Sequence, residues 1–250
     1  MLLEKLSREA HLWTVRPESI QNKMILAASM DSLSILEREK YRRFRFAEDR
    51  HRYLVSHALV RNVLSKYAEI LPGEWVFSQT DRGRPEVANP GLSAMRFNLS
   101  HTRGYVACIV TSSCDCGIDV ERVHVRHNPI DVAKRMFSKP EFEHMQQLSG
   151  REQLDYFFTR WTLREAYTKA RGIGITFPTQ KLNFEIKSTG EVNIEFQADM
   201  QDENEDWQLE ILPLTEEHIA AAAIRRLDHD NKKIVRHNMK DDLSSYIICN

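Results

Sequence analysis

The sequence predicts a chain of the α+β class, in which each half combines helices with a small antiparallel sheet. The longest helix is indicated by Leu154, Phe157 and Trp161, which recur at about 3.6 residues per turn and share one face. Strand-like apolar runs fill the last third of the chain, and two more between 95 and 110 predict a hairpin. The break between the halves falls near residue 115.

Composition narrows the class of protein. The 250 residues include 42% hydrophobic ones, enough for a core, and no apolar run approaches membrane-spanning length. The net charge is −1 with acids and bases interleaved, so nothing favours non-specific nucleic-acid binding. We expect a soluble globular protein.

The N-terminus and the cysteines predict a cytoplasmic location. Charges at Glu4, Lys5 and Arg8 interrupt the apolar core that a signal peptide requires. The four cysteines are Cys108, Cys114, Cys116 and Cys249. They lack the paired spacing of a zinc site and the density of a disulfide scaffold, so reduced thiols are expected.

The first half is predicted to begin with a strand and two helices. Leu12, Trp13 and Val15 indicate the strand. The pattern from 34 to 45 is helical and becomes basic toward its end, and a second helix follows from about 47 to 67. The basic residues of these helices either form a binding surface or, as the alternative, simply a solvated face.

A short strand from Trp75 to Ser78 is followed by a predicted turn, Asp81 to Pro85. Its glycine, Gly83, lets the backbone approach a ligand. Arg84 either points into water or binds phosphate, because a planar guanidinium contacts phosphate oxygens with two donors.

A second turn is predicted between the hairpin strands Met95–Leu99 and Tyr105–Val110, and it contains Ser100 and His101. Nucleophilic catalysis by Ser100 is disfavoured, because adjacent loop residues rarely reach each other as nucleophile and base and no Gly-x-Ser-x-Gly elbow exists. Phosphate binding by the Ser100 hydroxyl and the His101 imidazole fits better.

Two carboxylates open the second half. Asp119 and Glu121 lie two residues apart on a predicted strand. Because successive side chains of a strand point to opposite faces, these two share one face. Like charges this close repel unless a cation lies between them, and oxygen ligands suit Mg²⁺. Downstream, His124 and His127 lack the spacing of a metal site and are expected in a surface loop.

The longest helix carries a third carboxylate at the end of its apolar stripe. Glu165 precedes Lys169 by one turn, and Gly172 supplies the stop. A solvated ion pair is the alternative reading of these two charges. The last third then contains four strand-like runs, at 182–186, 192–196, 207–212 and 219–224.

Five motifs in order, from about residue 37 to 177, resemble those of the surfactin-type 4′-phosphopantetheinyl transferases. They are Lys40-Tyr41-Arg42-Arg43-Phe44 followed by Glu48-Asp49, Gly83-Arg84-Pro85, Phe97-Asn98-Leu99-Ser100-His101, Gly117-Ile118-Asp119-Val120-Glu121, and Trp161-Thr162-Leu163-Arg164-Glu165-Ala166. Each motif alone is weak, but the set with its gaps is specific. Arg84 and Arg164 stand where the family usually has lysine, and both keep the positive charge.

The resemblance implies a pseudo-twofold arrangement of two similar subdomains with the ligand in the seam. Residues 1–115 would form the subdomain on the 3′-phosphate and adenine side of coenzyme A. Residues 116–250 would carry the metal ligands, the long helix and the docking surface for a carrier protein.

The implied reaction moves the phosphopantetheine arm of coenzyme A onto a serine of an acyl or peptidyl carrier protein and releases adenosine 3′,5′-bisphosphate. Asp119, Glu121 and Glu165 would hold Mg²⁺, and Glu165 would take the serine proton, directly or through a metal-bound water. Lys169 would offset phosphate charge. The implied coenzyme A ligands are Lys40, Arg52, Gly83, Arg84, Pro85, Ser100, His101 and Lys169.

Two other functions stay open. A non-catalytic module for coenzyme A or a carrier protein would use the carboxylates structurally, and a metal-dependent phosphohydrolase would share the metal and phosphate ligands. The carrier is expected to dock near Gly172 to about Phe184, where Ile173, Ile175 and Phe177 are apolar. A monomer is expected by analogy only.

Overall fold

The computed structural model describes residues 2–124, 128–174, 177–200 and 202–239. The helices are α1 (Leu2–Lys5), α2 (Lys23–Ser32), α3 (Ile35–Arg43), α4 (Ala47–Leu64), α5 (Pro129–Met136), α6 (Lys139–Met145) and α7 (Gly150–Arg171). The strands are β1 (Glu9–Val15), β2 (Phe77–Gln79), β3 (Pro85–Val87), β4 (Met95–Thr102), β5 (Tyr105–Ser112), β6 (Cys116–Arg122), β7 (Leu182–Ile186), β8 (Val192–Phe196), β9 (Trp207–Thr215), β10 (His218–Arg225) and β11 (Lys233–Asn238). This mixture confirms the predicted α+β class. No helix in the described part of the chain is long and apolar enough to span a membrane.

The chain divides into two compact units. The first comprises Met1–Thr80, Pro85–Ser113 and Lys233–Asn250, and the second comprises Asp81–Arg84 and Cys114–Lys232. Two segments therefore differ from the predicted division at residue 115. The turn Asp81–Arg84 groups with the second unit because its arginines contact the end of α7, and β11 groups with the first because it pairs with β1.

The first unit is built on a four-stranded sheet in the order β11-β1-β5-β4. Strands β1, β5 and β4 are antiparallel neighbours, as the sequence predicts for the β4–β5 hairpin. Strand β11 instead runs parallel to β1, from Glu9 opposite Lys233 to Thr14 opposite Asn238. The sheet is therefore mixed. The sequence did not predict β11, because this partly exposed edge strand lacks a continuous apolar pattern.

Helix α4 covers this sheet with an apolar stripe. Leu59 and Val63 pack in one cluster with Trp13, Phe97 and Val110 of the strands. All five side chains are buried, at 6% exposure or less. Burial of this stripe fixes α4 against the sheet, since most of the stability of a helix in a protein comes from the packing of its apolar face.

A buried ion pair joins α3 to α4. Arg61 Nη2 donates to Glu37 Oε2 at 2.6 Å, and His57 Nδ1 lies 2.8 Å from Glu37 Oε1. The Ser34 amide donates to the same carboxylate at 2.8 Å and completes a capping box at the start of α3. Burial would raise the pKa of Glu37, but these hydrogen bonds and the charge of Arg61 outweigh it and lower the pKa to about 2.

The second unit is built on the antiparallel sheet β6-β10-β9, with β7 and β8 as a separate antiparallel pair. The four strands predicted in the last third are therefore confirmed. Helix α7 lies against the sheet, where Leu163, Ala166 and Tyr167 pack with Trp207 and Leu209. Strand β6, which carries Asp119 and Glu121, pairs with β10 and lies at the end of the three-strand order.

We expect Glu37→Gln to destabilise the protein in a pH-dependent way. The folded-state pKa lies below the ordinary value of 4.5, so the charge of Glu37 stabilises the fold above that pH and this contribution is lost as the pH falls toward about 2. The contribution at neutral pH is about 2 to 3 kcal/mol. Urea denaturation of the wild type and of Glu37→Gln, at neutral pH and at about pH 3, measures this contribution to the free energy of unfolding. A difference between the two proteins that does not change with pH would contradict a stabilising role of the Glu37 charge.

Candidate functional site

The site of the second unit depends on a close approach of α7 to β6. A Cβ atom added to Gly117 would lie 2.0 Å from the carbonyl oxygen of Ala166 and 2.6 Å from the amide nitrogen of Ala170. Only a residue without a side chain fits between this strand and this helix. The sequence motif contains this glycine, but its role is visible only in the packing.

Strand β6 and helix α7 run in opposite directions, and the facing segments of the two elements have the same length. Gly117 meets Ala166 and Ala170, whereas Glu121, four residues further along β6, meets Trp161 near the middle of α7. Four strand steps span about 13 Å, and the nine helical steps from Ala170 to Trp161 span about the same. The match explains why the strand carboxylates lie alongside the helix face that carries Glu165.

Three helix positions one turn apart form the partly exposed stripe of α7. Trp161, Glu165 and Lys169 are half-buried, and the other residues between 161 and 170 are buried. The apolar face predicted for Phe157 and Trp161 exists as a stacked pair, with ring centroids 6.0 Å apart. The stripe therefore presents one carboxylate between an indole and an ammonium.

Asp119 is held by the cation of this stripe. Lys169 Nζ donates to Asp119 Oδ1 at 2.6 Å and to the Ile118 carbonyl oxygen at 3.3 Å. The aspartate side chain is 6% exposed and the lysine side chain 28% exposed. The sequence placed Glu165 and Lys169 side by side, but the ion pair that the structure contains joins Lys169 to the strand. Among the described residues, the alternative of a solvated Glu165–Lys169 pair is therefore not the one that forms.

Glu121 and Glu165 have raised pKa values. Burial and the charge of Asp119 raise the pKa of Glu121 to about 7, against the opposing effects of the Trp161 N–H and the Lys169 ammonium. The Trp161 indole donates to Glu121 Oε1 at 3.2 Å, a bond that the sequence did not predict. Burial and the charge of Asp119 also raise the pKa of Glu165, and Lys169 opposes this. Neighbouring carboxylates therefore raise the pKa values of both glutamates, against the opposing charge of Lys169.

The donor set of this cluster suits a hard divalent cation. Among the residues that the structure describes, no three His, Cys, Asp or Glu side chains already form a metal-binding group. Mg²⁺, however, commonly takes only one or two protein carboxylates and completes its shell with water and phosphate. Since Asp119, Glu121 and Glu165 offer carboxylate oxygens, the ligand type that this ion prefers, their chemistry fits it.

Arg164, which replaces the usual lysine, is buried on a different face of α7. Its side chain is 1% exposed and forms an ion pair with Glu141, which is 3% exposed. It also donates to the carbonyl oxygens of Met136 and Leu182, each at 3.0 Å. Glu141 in turn accepts from the Phe184 amide at 3.1 Å. Arg164 therefore joins α7 to α6, β7 and the end of α5, a role that the sequence did not indicate.

The residues of the predicted phosphate-binding turn have different surroundings. Gly83 has a φ of 85°, which accounts for the glycine, and no atom lies within 4 Å of an added Cβ. Arg84 Nη1 donates to the Ala170 carbonyl oxygen at 2.6 Å and lies 3.2 Å from Asp115. Pro85 begins β3, in the first unit.

Two predicted ligands of the first unit lie on its helices. Lys40 is exposed near the end of α3, with Nζ 5.7 Å from the ring centroid of Tyr53. Arg52 lies in α4 and pairs with Asp49 in the first turn of that helix, and its side chain is 22% exposed. Both cations belong to the predicted basic helical region.

The other two predicted ligands of the first unit lie on β4. The predicted turn beginning at Ser100 was wrong, because β4 continues to Thr102 and pairs there with Tyr105. Adjacent residues of a strand point to opposite faces. Ser100 is accordingly buried, at 6% exposure, whereas His101 is exposed. The side chain of His101, rather than that of Ser100, is open to solvent.

Two further expectations concern residues at the edge of the described ranges. His124 Nδ1 lies 2.7 Å from the Arg122 carbonyl oxygen, and its predicted neighbour His127 lies outside the described residues. Ile175, expected at a docking surface, also lies outside them. Ile173 and Phe177 are partly buried against the α7 cluster, which limits the apolar surface they present.

Two family models together match most of the chain. The model described as 4′-phosphopantetheinyl transferase superfamily matches residues 115–223. The model described as 4′-phosphopantetheinyl transferase, N-terminal, matches residues 18–113. The boundary between the matches lies directly before β6.

Similar proteins carry related names. A 4′-phosphopantetheinyl transferase of Bacillus subtilis is 35% identical over 66% of this chain and 72% of its own length. The 4′-phosphopantetheinyl transferase HetI of Nostoc sp. is 33% identical over 69% of this chain and 73% of its own. Among solved structures, a holo-(acyl-carrier-protein) synthase from Bacillus anthracis in complex with CoA (3′,5′-ADP) matches 44% of this chain and 94% of its own, with a TM-score of 0.35 and 18% identity. That structural similarity is too low to compare the sites.

We expect Gly117→Ala to destabilise the protein by about 3 kcal/mol, because the added methyl group would overlap the α7 backbone. Thermal and urea denaturation measure the loss. Gly73→Ala is the matched control, since its added Cβ would meet only the Ser32 Cα at 3.8 Å. Equal stability of the two variants would contradict the close approach.

We expect Glu141→Gln to cost about 3 to 5 kcal/mol, because it leaves the buried guanidinium of Arg164 without its counter-charge. Glu143→Gln is the control, since Glu143 is 57% exposed and its carboxylate forms only a long surface ion pair, at 3.8 Å from Lys139 Nζ. A loss in the first variant no larger than in the control would show that Arg164 does not depend on Glu141. Urea denaturation at neutral pH gives both values.

Proposed function

The chain belongs to the 4′-phosphopantetheinyl transferase family, and we propose that it moves the phosphopantetheine arm of coenzyme A onto a serine of an acyl or peptidyl carrier protein. The observation that carries the proposal is the cluster of Asp119, Glu121, Glu165 and Lys169 on β6 and α7. A phosphoryl-group transfer needs charge neutralisation, in-line positioning and a base. This cluster offers groups for each of these tasks.

Glu165 is the proposed base. Its raised pKa keeps it basic enough to accept the proton of the carrier serine, whose oxygen forms a bond to the β-phosphorus of coenzyme A. The bond from that phosphorus to the oxygen bridging the α-phosphate breaks, and adenosine 3′,5′-bisphosphate leaves. The proton then remains on the Glu165 carboxyl until solvent removes it.

Asp119, Glu121 and Glu165 are proposed to hold Mg²⁺, which would neutralise charge on the diphosphate. Trp161 orients Glu121 through its indole N–H, as supporting hydrogen bonds commonly orient metal ligands. Lys169 is proposed to share its charge between Asp119 and the phosphates of the bound substrate.

Residues of the first unit are proposed to bind the remainder of coenzyme A. Lys40 and His101 are exposed cationic or titratable side chains suited to the 3′-phosphate, with Arg52 as a further cation. Ser100 contributes less, because its side chain is buried. Gly83 and Pro85 of the turn remain proposed backbone contacts. A monomeric state and a cytoplasmic location remain predictions.

Incubation of the protein with coenzyme A, Mg²⁺ and several apo-carrier proteins tests the proposal. Mass spectrometry should show a gain of about 340 Da on a carrier, the mass of the transferred arm. Binding of coenzyme A without any gain would instead favour a non-catalytic module. Cleavage of coenzyme A without modification of a carrier would favour a phosphohydrolase.

We expect Glu165→Gln to lower transfer by at least about a hundredfold while coenzyme A still binds, because the amide cannot accept the serine proton. Glu152→Gln is the matched control, since Glu152 is exposed in the first turn of the same helix. Calorimetry gives the affinity for coenzyme A, and the mass assay gives the rate. Full activity of the Glu165 variant would overturn the assignment of the base.

A further inference from the structure

Arg84 lies at the C-terminal end of α7, within the second unit. Its Nη1 donates to the carbonyl oxygen of Ala170 at 2.6 Å. This carbonyl is one of the last four of the helix, which have no amide partner inside the helix. A cation at this position also complements the negative end of the helix dipole. Arg84 therefore caps the turn of α7 that carries Lys169.

The same guanidinium reaches the start of β6. Nη1 lies 3.2 Å from Asp115 Oδ1, and Asp115 directly precedes the strand. The backbone oxygen of Asp115 accepts from the Arg225 amide at 2.8 Å, so this residue is anchored to the end of β10. The second acceptor of Arg84 is thus part of the sheet.

The side chain of Arg84 also lies across the end of the helix. Gly172 ends α7 in the left-handed conformation, with φ at 63°, and a Cβ atom there would come within 3.2 Å of Arg84 Nε. The arginine side chain is only 17% exposed. These contacts place it between the helix end and the first residue before the strand.

We propose that Arg84 is a positioning residue, which clasps the end of α7 to the start of β6 and thereby sets the position of Lys169 and Glu165. Arg84 makes both contacts through Nη1 of a planar, preorganised guanidinium, whereas the ammonium of a lysine lies on a flexible stem that fixes no such geometry. The arginine in this motif therefore acts through the helix that carries the reactive groups. The kinetic consequence rests on the proposed transferase function, but the effect on the helix end does not.

The variants that test this clasp are Asp115→Asn, Arg84→Lys and their combination. Hydrogen exchange of the ligand-free protein is measured at the amides of Gly172 and Ile173, which bond to carbonyls of the last turn of α7. The turnover number and the KM for coenzyme A are measured in the carrier assay. Arg151→Lys is the matched control, because Arg151 forms an exposed ion pair with Asp155 at the opposite end of the helix.

Each single variant should speed exchange at these amides and lower the turnover number by about tenfold, with little change in the KM for coenzyme A. The double variant should be no worse than either single one, because both break the same clasp. The proposal would be overturned if Arg84→Lys raised the KM for coenzyme A but left exchange at the Gly172 and Ile173 amides at the wild-type rate, and if Asp115→Asn changed neither exchange nor turnover. If the wild type transfers nothing, the proposed function fails and the exchange data alone decide on the clasp.

Discussion

The close approach of α7 to β6 at Gly117 is the constraint on which the site depends. The helix backbone takes the space that a side chain at Gly117 would need. Because the two elements touch along about 13 Å, each residue on the facing side of the strand meets a particular helix position. Asp119 meets Lys169 and Glu121 meets Trp161 for this reason. A shift of α7 by one turn would separate both pairs.

Two charged clusters on different faces of α7 differ in composition. Around Glu141 and Arg164, opposite charges and backbone groups satisfy each other in a buried network. Around Asp119, burial and neighbouring carboxylates raise the pKa values of Glu121 and Glu165, and the Lys169 ammonium opposes this. Breaking the first cluster leaves a buried charge without its partner, whereas the neighbouring carboxylates of the second are suited to bind a cation and a charged substrate. The helix therefore has a structural side and a reactive side.

Local patterns in the sequence predicted most elements of the fold. The stop of α7 at Gly172 occupies the expected position, since it depends only on neighbouring residues. The strand β11 was not predicted, because it is short, largely polar and paired with a strand from the other end of the chain. The turn at Ser100 was placed too early for a similar reason, since the strand pairing that extends β4 is a tertiary contact.

The sequence by itself determined which residues share a face: Asp119 with Glu121 on a strand, and Glu165 with Lys169 on a helix, because these relations follow from the periods of the two structures. Only the tertiary structure decided that Lys169 binds Asp119 and that the cation of Arg164 is buried against a partner twenty-three residues away rather than exposed. Partners at a long separation leave no period in the sequence. Their pairing is settled by how closely the helix can approach the sheet.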